Sequence, residues 1–233
     1  MHKYTAIILT SRDTNEFDRV YTFYTLEEGL VRVVAKGARK PAARLAGHLE
    51  PVTLSEVYVA RSKGRGQIVS ALTILGFERI KSDFEKLRET LEIFRFIARF
   101  FSEGEPDKRI FSLLVSLLRL LDKKEDSQVL IEGFWWQLFD LLGQRPQVAS
   151  CVHCQKKLML RDQKYFDIKK GGIICSLCRK KDQELFSISD NQIKLLRLFF
   201  SQPLRLLGKI KLAVVELSGL GRIRQNYQKY HFG

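Results

Sequence analysis

The four cysteines of the chain fall into two matched pairs. Cys151 and Cys154 form one C-x2-C pair, Cys175 and Cys178 form the other, and 20 residues separate the pairs. Two residues between thiols allow one tight turn to present both sulfurs to a single ion, and two such turns complete a tetrahedron. A closed shell of four sulfurs leaves no position for water. The spacing therefore predicts one structural Zn²⁺ that holds a ribbon at about residues 146–186.

Three other uses of these cysteines were compared with structural zinc. Disulfides are disfavoured in a reducing cytosol. A redox dithiol does not require two matched pairs. A catalytic zinc could use His153 with three cysteines, but His153 lies within the first turn. A structural metal is the favoured interpretation.

Two glycine-containing segments place cations between β-rich runs of sequence, at residues 36–44 and 61–66. Glycine allows the backbone to approach phosphates closely, and the cations neutralise them. The predicted DNA-binding residues are Lys36, Arg39, Lys40, Arg44, Arg61, Lys63 and Arg65. The nearby aromatic residues that could stack on bases are Tyr21, Phe23, Tyr24 and Tyr58. The alternative is a pair of solvated loops. The Lys and Arg residues around the cysteines allow the same two interpretations: they contact DNA, or they form a solvated face.

The formal net charge is +14, and the excess is unevenly distributed. Basic residues outnumber acidic ones by 4 in residues 1–80, by 5 in 146–186 and by 6 in 187–233, whereas acidic residues lead by 1 in 81–145. A phosphate backbone is the usual partner of such a surface, because its neutralisation releases counterions. The charge favours nucleic acid over an anionic membrane.

The sequence contains no recognisable catalytic motif. Phosphate-loop, zinc-protease, nucleophile-elbow and deaminase patterns are missing, and none of the 4 histidines lies in a catalytic context. Glu16 and Asp18 suit a turn or an ion pair better than paired catalytic carboxylates. No apolar run approaches the roughly 20 residues of a membrane-spanning helix, and no signal-peptide pattern begins the sequence. We therefore expect a cytoplasmic binding protein rather than an enzyme.

The elements that must position these residues change in type near Phe77. Five β-branched runs separated by glycine-containing turns precede it, which predicts a small barrel of the OB-fold type over residues 1–80. Apolar residues then recur at helical spacing, with Phe84, Leu87, Leu91 and Phe94 on one expected buried face. The predicted class is α+β multidomain: the barrel, then an α-helical domain over 81–233 with the zinc ribbon inserted at 146–186.

Other segments carry more local predictions. Ser189 and Gln192 resemble a capping box at the start of a helix. Residues 158–160 and 165–168 are expected to pair as a hairpin within the ribbon. The polar, basic tail from Gly221 is expected to fray, and the paired tryptophans, Trp135 and Trp136, to belong to the core.

These features together resemble the bacterial RecO family of recombination mediators. Residues 16–19 read E-F-D-R, residues 35–39 read A-K-G-A-R, and residues 45–51 read L-A-G-H-L-E-P, each similar to a family motif and in the same order. The order of barrel, helices and embedded cysteine pairs covers nearly the whole chain. The polar end from Gly219 departs from the pattern.

The resemblance implies binding of single- and double-stranded DNA and annealing of complementary strands. It also implies action with RecR, contact with the acidic C-terminal tail of the single-strand binding protein, and help in loading RecA in the nucleoid. Grooves between the apolar helices could accept that tail, with Lys194, Arg197 or Arg205 meeting its acidic residues. The runner-up is a zinc-ribbon, OB-fold RNA-binding or ribosome-associated factor, and a metal-dependent nucleic-acid enzyme is a third class.

Overall fold

The computed structural model describes residues 1–38, 46–61, 66–123, 128–160, 162–180, 184–210 and 214–233. They form two compact units, Met1–Lys123 and Lys124–Gly233. The first unit contains the barrel and the three helices that follow it. The domain boundary expected at residue 80 stays a prediction.

Five strands of the first unit close into a barrel in the order β1-β2-β3-β5-β4. Their bounds are β1 His2–Asp13, β2 Arg19–Thr25, β3 Gly29–Ala35, β4 Thr53–Ala60 and β5 Gln67–Leu75. Neighbouring strands are antiparallel except β3 and β5, which meet in parallel at Val34 and Gln67. This arrangement is consistent with the OB-fold, and the predicted fold class is confirmed.

The barrel closes because β1 is long enough to pair on both edges. Its first half pairs with β4 and its second half with β2, and the register shifts between Ile8 and Thr10, where the strand bends. Alternate residues Tyr4, Ala6 and Ile8 point into the core. A short 3-10 turn, Ala46–Leu49, precedes β4, and its Leu49 is fully buried in the same core.

Three helices complete the first unit: α1 Glu78–Lys81, α2 Phe84–Phe100 and α3 Lys108–Leu121. Aspartates cap the two longer ones, because the side chains of Asp83 and Asp107 accept backbone N–H bonds of the first turn. The face predicted for α2 is wrong at its start. Phe84 is 76% exposed, whereas Phe94 is buried as predicted, together with Thr90, Ile93 and Ile97.

The loop between α2 and α3 is fastened to the start of β3. Gly29 forms an isolated antiparallel β-bridge with Glu103. The backbone N–H of Gly104 donates to the carbonyl of Leu30 at 3.4 Å. Arg32 also donates to Glu103 at 2.8 Å. These contacts explain why α2 and α3 belong to the same compact unit as the barrel.

Gly29 is expected to be irreplaceable in this junction. Its φ is +67°, which disfavours other residues, and a Cβ there would collide with the backbone carbonyl of Glu105. Alanine is therefore expected to lower the free energy of unfolding by about 2 kcal/mol. Thermal and urea unfolding would measure the change. Gly47→Ala is the matched control, since nothing lies within 4 Å of a Cβ at that position.

The second unit is built around α4 (Gln128–Leu141), which is apolar on almost every side. A helix of this kind must be covered all round. Trp135 and Trp136 are fully buried in its core, as predicted. The helices that follow the ribbon are α5 Asp190–Ser201, α6 Leu204–Leu207 and α7 Val214–Phe232. The predicted capping box is present at the start of α5.

The expectation of a frayed tail is wrong. Residues from Gly221 belong to α7, where Leu220, Ile223, Arg224 and Tyr227 are buried. Tyr227 donates to the carbonyl of Gln144 at 3.1 Å. The polar residues of this helix include one member of a buried ion pair, so the segment is not a solvated chain end. Among the described residues, no helix is long and apolar enough to cross a membrane.

Candidate metal centre and nucleic-acid interface

A small sheet carries the second cysteine pair. Its strands β6 (Lys164–Asp167), β7 (Gly172–Cys175) and β8 (Phe186–Ile188) lie in the order β7-β6-β8. The expected hairpin is therefore corrected: residues 158–160 form no strand, and β6 pairs instead with β7 and β8. The turn between β6 and β7 contains Gly171, with φ +63°, where the sequence places a glycine pair.

The two cysteine turns are held against each other by the backbone. Cys175 ends β7, and Cys178 lies in the following 3-10 turn, Ser176–Cys178. The first turn is attached to the same strand, because the Val152 N–H donates to the carbonyl of Ile173 at 2.9 Å. Gly172 permits this approach: a Cβ there would lie 2.5 Å from Val152 Cγ1.

The geometry of the four sulfurs suits one metal ion. The Sγ atoms of Cys151, Cys154, Cys175 and Cys178 all lie within 4.8 Å of one another. Cys154 and Cys175 are 3.9 Å apart. A tetrahedron with metal–sulfur distances of about 2.3 Å places its sulfurs roughly 3.8 Å apart. Four thiolates at these distances can coordinate a metal without rearrangement of the turns.

The thiols also influence one another's ionisation. Burial opposes ionisation of Cys151, but the backbone N–H groups of Cys154, Cys175 and His153 outweigh it and lower the pKa of Cys151 to about 6. Hydrogen bonding with Cys175 and Cys154 raises the pKa of Cys178 to about 12. The surroundings thus favour the thiolate of Cys151 and oppose that of Cys178, and a bound cation would favour the thiolate form of its ligands.

The cations around the cysteines divide into two groups. Lys164 is buried, with its Nζ 2.8 Å from Asp190 Oδ1. Arg179 lies over the Tyr165 ring and donates to its hydroxyl at 2.7 Å. Arg179 is nevertheless exposed, and the other exposed members are Lys156, Lys157, Lys169, Lys170 and Lys180. Arg161 and Lys181 lie outside the described residues. Lys164 therefore stabilises the ribbon, and the exposed cations are the ones that a polyanion can reach.

The basic loop after β3 begins in a defined turn. Lys36 is exposed, and the N–H of Gly37, at φ +67°, donates to Asp18 Oδ1 at 2.8 Å. Asp18 is in turn positioned by its own N–H, which donates to Asn15 Oδ1 at 2.6 Å. The carboxylate thus shapes the loop that presents Lys36. Sequence reasoning assigned Asp18 a turn or ion-pair role without finding this partner, although both residues lie in the quoted motifs.

The other predicted DNA-binding residues have different surroundings. Arg61 is ion-paired with Glu28 at 2.5 Å and lies near the Tyr4 ring. Arg39, Lys40, Arg44, Lys63 and Arg65 lie outside the described residues. The DNA-binding role of all seven stays a prediction.

Most of the aromatic residues considered for base stacking are unavailable. Tyr21 and Phe23 point into the barrel core, and Tyr24 is buried with its ring 5.5 Å from that of Phe101. Only Tyr58 of the four is partly exposed, on the outer face, where its hydroxyl donates to Glu56 at 2.6 Å. Stacking on these three rings is therefore rejected: barrel closure buries Tyr21 and Phe23, and Tyr24, on the other face of β2, is covered by the helical segment that carries Phe101.

The three cations considered for a protein partner also differ. Lys194 on α5 and Arg205 on α6 are exposed. Arg197 donates twice to the carbonyl of Val148, at 2.9 and 2.6 Å, and so fastens α5 to the segment before the first cysteine turn. Their partner-binding role stays a prediction.

Comparison with known proteins agrees with this architecture. The family Recombination protein O N terminal matches residues 1–77, and Recombination protein O C terminal matches residues 82–233. The chain belongs to the RecO family. A DNA repair protein RecO of Desulforamulus reducens is 30% identical over 99% of this chain and 90% of its own length. The RecO of Bacillus subtilis is 25% identical over 98% of this chain and 88% of its own length.

A third RecO, from Dehalococcoides mccartyi strain 195, is 33% identical over 82% of this chain and 75% of its own length. The family assignment predicted from three short motifs is thereby confirmed. It covers the barrel, the helices and the ribbon alike.

Proposed function

We propose that this RecO-family chain binds single- and double-stranded DNA and anneals complementary strands, acting by binding rather than by catalysis. The observation that carries the proposal is the turn directly after β3 of an OB-type barrel, where Asp18 accepts the Gly37 N–H and Lys36 is exposed. The net charge of +14 and the DNA repair relatives support it. Screening of two phosphate backbones needs cations on both units and no reading of sequence.

The proposal extends to the metal and to the partners. We assign the four thiolates one structural Zn²⁺, because a closed four-sulfur shell is the donor set typical of that ion. Residues Lys194 and Arg205 are offered as contacts for the acidic tail of the single-strand binding protein. We also propose that the chain acts with RecR to load RecA on coated DNA in the cytoplasmic nucleoid, which the family assignment supports.

The direct test is annealing of two complementary labelled oligonucleotides without nucleotide, in DNA and RNA versions, across a salt series. We expect faster DNA annealing, lost steeply as salt rises. For single strands the slope of log affinity against log salt should be about −0.7 per phosphate neutralised. Tight RNA binding without DNA annealing would overturn the proposal in favour of an RNA-binding factor.

A variant with Lys36→Glu and Arg39→Glu tests the barrel loop itself. It is expected to weaken DNA binding and to flatten its salt dependence, while Lys108→Glu with Arg119→Glu provides a charge-matched control on α3. Equal affinities of the two variants would remove the loop from the interface.

Asp18→Ala provides a prediction whose sign separates loop shape from charge. Removal of a carboxylate makes the chain more basic, and charge alone would strengthen DNA binding. Loss of the bond to the Gly37 N–H should instead disorder the Lys36 turn and weaken binding by roughly tenfold, as a charge-assisted hydrogen bond contributes about 1.5–3 kcal/mol. Fluorescence anisotropy measures this. Glu16→Ala removes the same charge without that bond and is expected not to weaken binding.

A further inference from the structure

A cleft lies within the second unit, between the ribbon and α7. Its volume is about 360 Å³, near the lower end of the range for small-molecule sites. The ribbon supplies Ile168 and Lys169 from the turn after β6, with Phe186 at the start of β8. The other lining residues are Glu184, Asn226, Lys229 and Tyr230. None of them contributes to the metal centre or the barrel.

One face of α7 forms a wall of this cleft. Asn226, Lys229 and Tyr230 have the i, i+3, i+4 spacing that places side chains together on a helix. The adjoining face of the helix, with Ile223 and Tyr227, is buried. Tyr230 is 55% exposed, so its ring is accessible to a ligand. The helix is therefore anchored on one side and presents an aromatic ring, an amide and a cation on the other.

The α7 wall is fixed in relation to the ribbon. His231 Nε2 lies 2.9 Å from the carbonyl of Ile168, and the Tyr230 and His231 rings meet edge to face at 4.9 Å. These contacts hold Tyr230 beside the turn that carries Lys169. The ring and the cations do not have to be assembled when a ligand enters, which lowers the cost of binding.

The lining combines the three kinds of group that recognise a nucleotide. The exposed Tyr230 ring and the Phe186 side chain offer apolar surface for a base. Lys169 and Lys229, both exposed, provide positive charge for the flanking phosphates. Glu184 provides a carboxylate, and Asn226, whose Nδ2 donates to the carbonyl of Arg222 at 2.9 Å, provides its amide oxygen; both can accept hydrogen bonds from a base edge. An acidic peptide would use the lysines, but it would leave the ring without a partner.

We propose that this cleft binds one nucleotide of a DNA single strand, with its base stacked on Tyr230 and its phosphates at Lys169 and Lys229. The inference rests on the proposed DNA binding and adds a second contact point, distant in sequence from the barrel loops. Annealing requires two strands to be held at once, and a stacking site on the ribbon would hold a base unpaired.

The test uses the full-length, metal-replete protein and a labelled oligothymidine, with binding measured by anisotropy over a salt series. Tyr230→Ala is expected to weaken binding roughly tenfold, while Tyr230→Phe, which keeps the ring, retains wild-type affinity. Lys169→Ala with Lys229→Ala should reduce the salt slope by about 1.4, the value for two phosphates. Lys108→Ala with Lys209→Ala is the matched control for the loss of two exposed lysines. Photocrosslinking with a 5-iodouracil oligonucleotide should label the peptide that contains Tyr230.

Each contrary result has a distinct meaning. If Tyr230→Ala binds DNA with wild-type affinity and crosslinks are confined to the barrel, the cleft is not a nucleotide site. The proposed function then stays intact. No DNA binding by the wild type overturns both. Binding of a labelled acidic peptide that Lys229→Ala abolishes, with DNA affinity unaffected, would make the cleft a peptide site and reject the nucleotide.

Discussion

Cys151→Ser is expected to abolish metal retention and to unfold the ribbon. Cys151 is the fully buried member of the four-sulfur cluster, and its Sγ accepts the N–H of Cys175 at 3.5 Å. The three strands of the ribbon have only 4, 4 and 3 residues, so they bury little apolar surface of their own and a metal ion is expected to supply much of the stability. Metal binding to small structural zinc sites contributes about 10–16 kcal/mol of folding free energy. Without the fourth thiolate, most of that stabilisation is lost.

Metal analysis and tryptophan fluorescence measure the two consequences separately. Zinc per chain should fall from one equivalent toward none. The fluorescence should change because the Trp136 ring lies 6.1 Å from that of Phe166 on β6. Unfolding of the ribbon would therefore alter the surroundings of Trp136. A strong chelator added to the wild type should reproduce the same spectral change.

His153→Ala is the matched control for this experiment. His153 lies between Cys151 and Cys154 but is exposed and outside the four-sulfur cluster. It is expected to retain the metal and the wild-type fluorescence. Loss of metal in His153→Ala, or full retention in Cys151→Ser, would contradict a four-thiolate site and restore the histidine-containing alternative.

The barrel and the metal centre were predictable from sequence because their signals are local. Short β-branched runs alternate with turns at Gly29 and Gly37, and both glycines adopt positive φ as such turns require. The cysteine spacing specifies two turns, and the structure brings all four sulfurs together. In both cases the residues that form the sequence pattern are the same residues that form the turns and the cluster.

The wrong predictions concern features that depend on distant partners. The helical periodicity predicted that Phe84 is buried. Asp83 caps the helix, so Phe84 is its first residue. Which face of the helix is buried depends on tertiary contacts, which periodicity alone does not show. Alternation left open which barrel aromatics face outward until closure buried Tyr21 and Phe23. The polar residues of α7 indicated a frayed tail because nothing near Arg224 in sequence shows that Glu132, 92 residues away, is its partner.

That ion pair leads to the second large prediction. Arg224 Nε donates to Glu132 Oε1 at 3.2 Å, with side-chain exposures of only 4% and 9%. The guanidinium also lies 5.2 Å from the Trp135 ring. Glu132→Ala would leave a buried cation without its carboxylate and is expected to lower the free energy of unfolding by about 3–5 kcal/mol. Urea unfolding followed by tryptophan fluorescence measures the loss.

The double variant Glu132→Leu with Arg224→Leu tests whether the cost comes from the unpaired charge. Since it buries no charge at all, it should recover most of the stability lost by Glu132→Ala, as replacement of a buried pair by apolar residues is often neutral. Glu184→Ala, at an exposed carboxylate of the same unit, should leave stability unchanged. A double variant no more stable than Glu132→Ala would mean that the pair contributes packing and hydrogen bonds that leucine cannot replace. The anchoring of α7, and with it the wall that carries Tyr230, would then depend on this ion pair itself rather than on burial of the helix face.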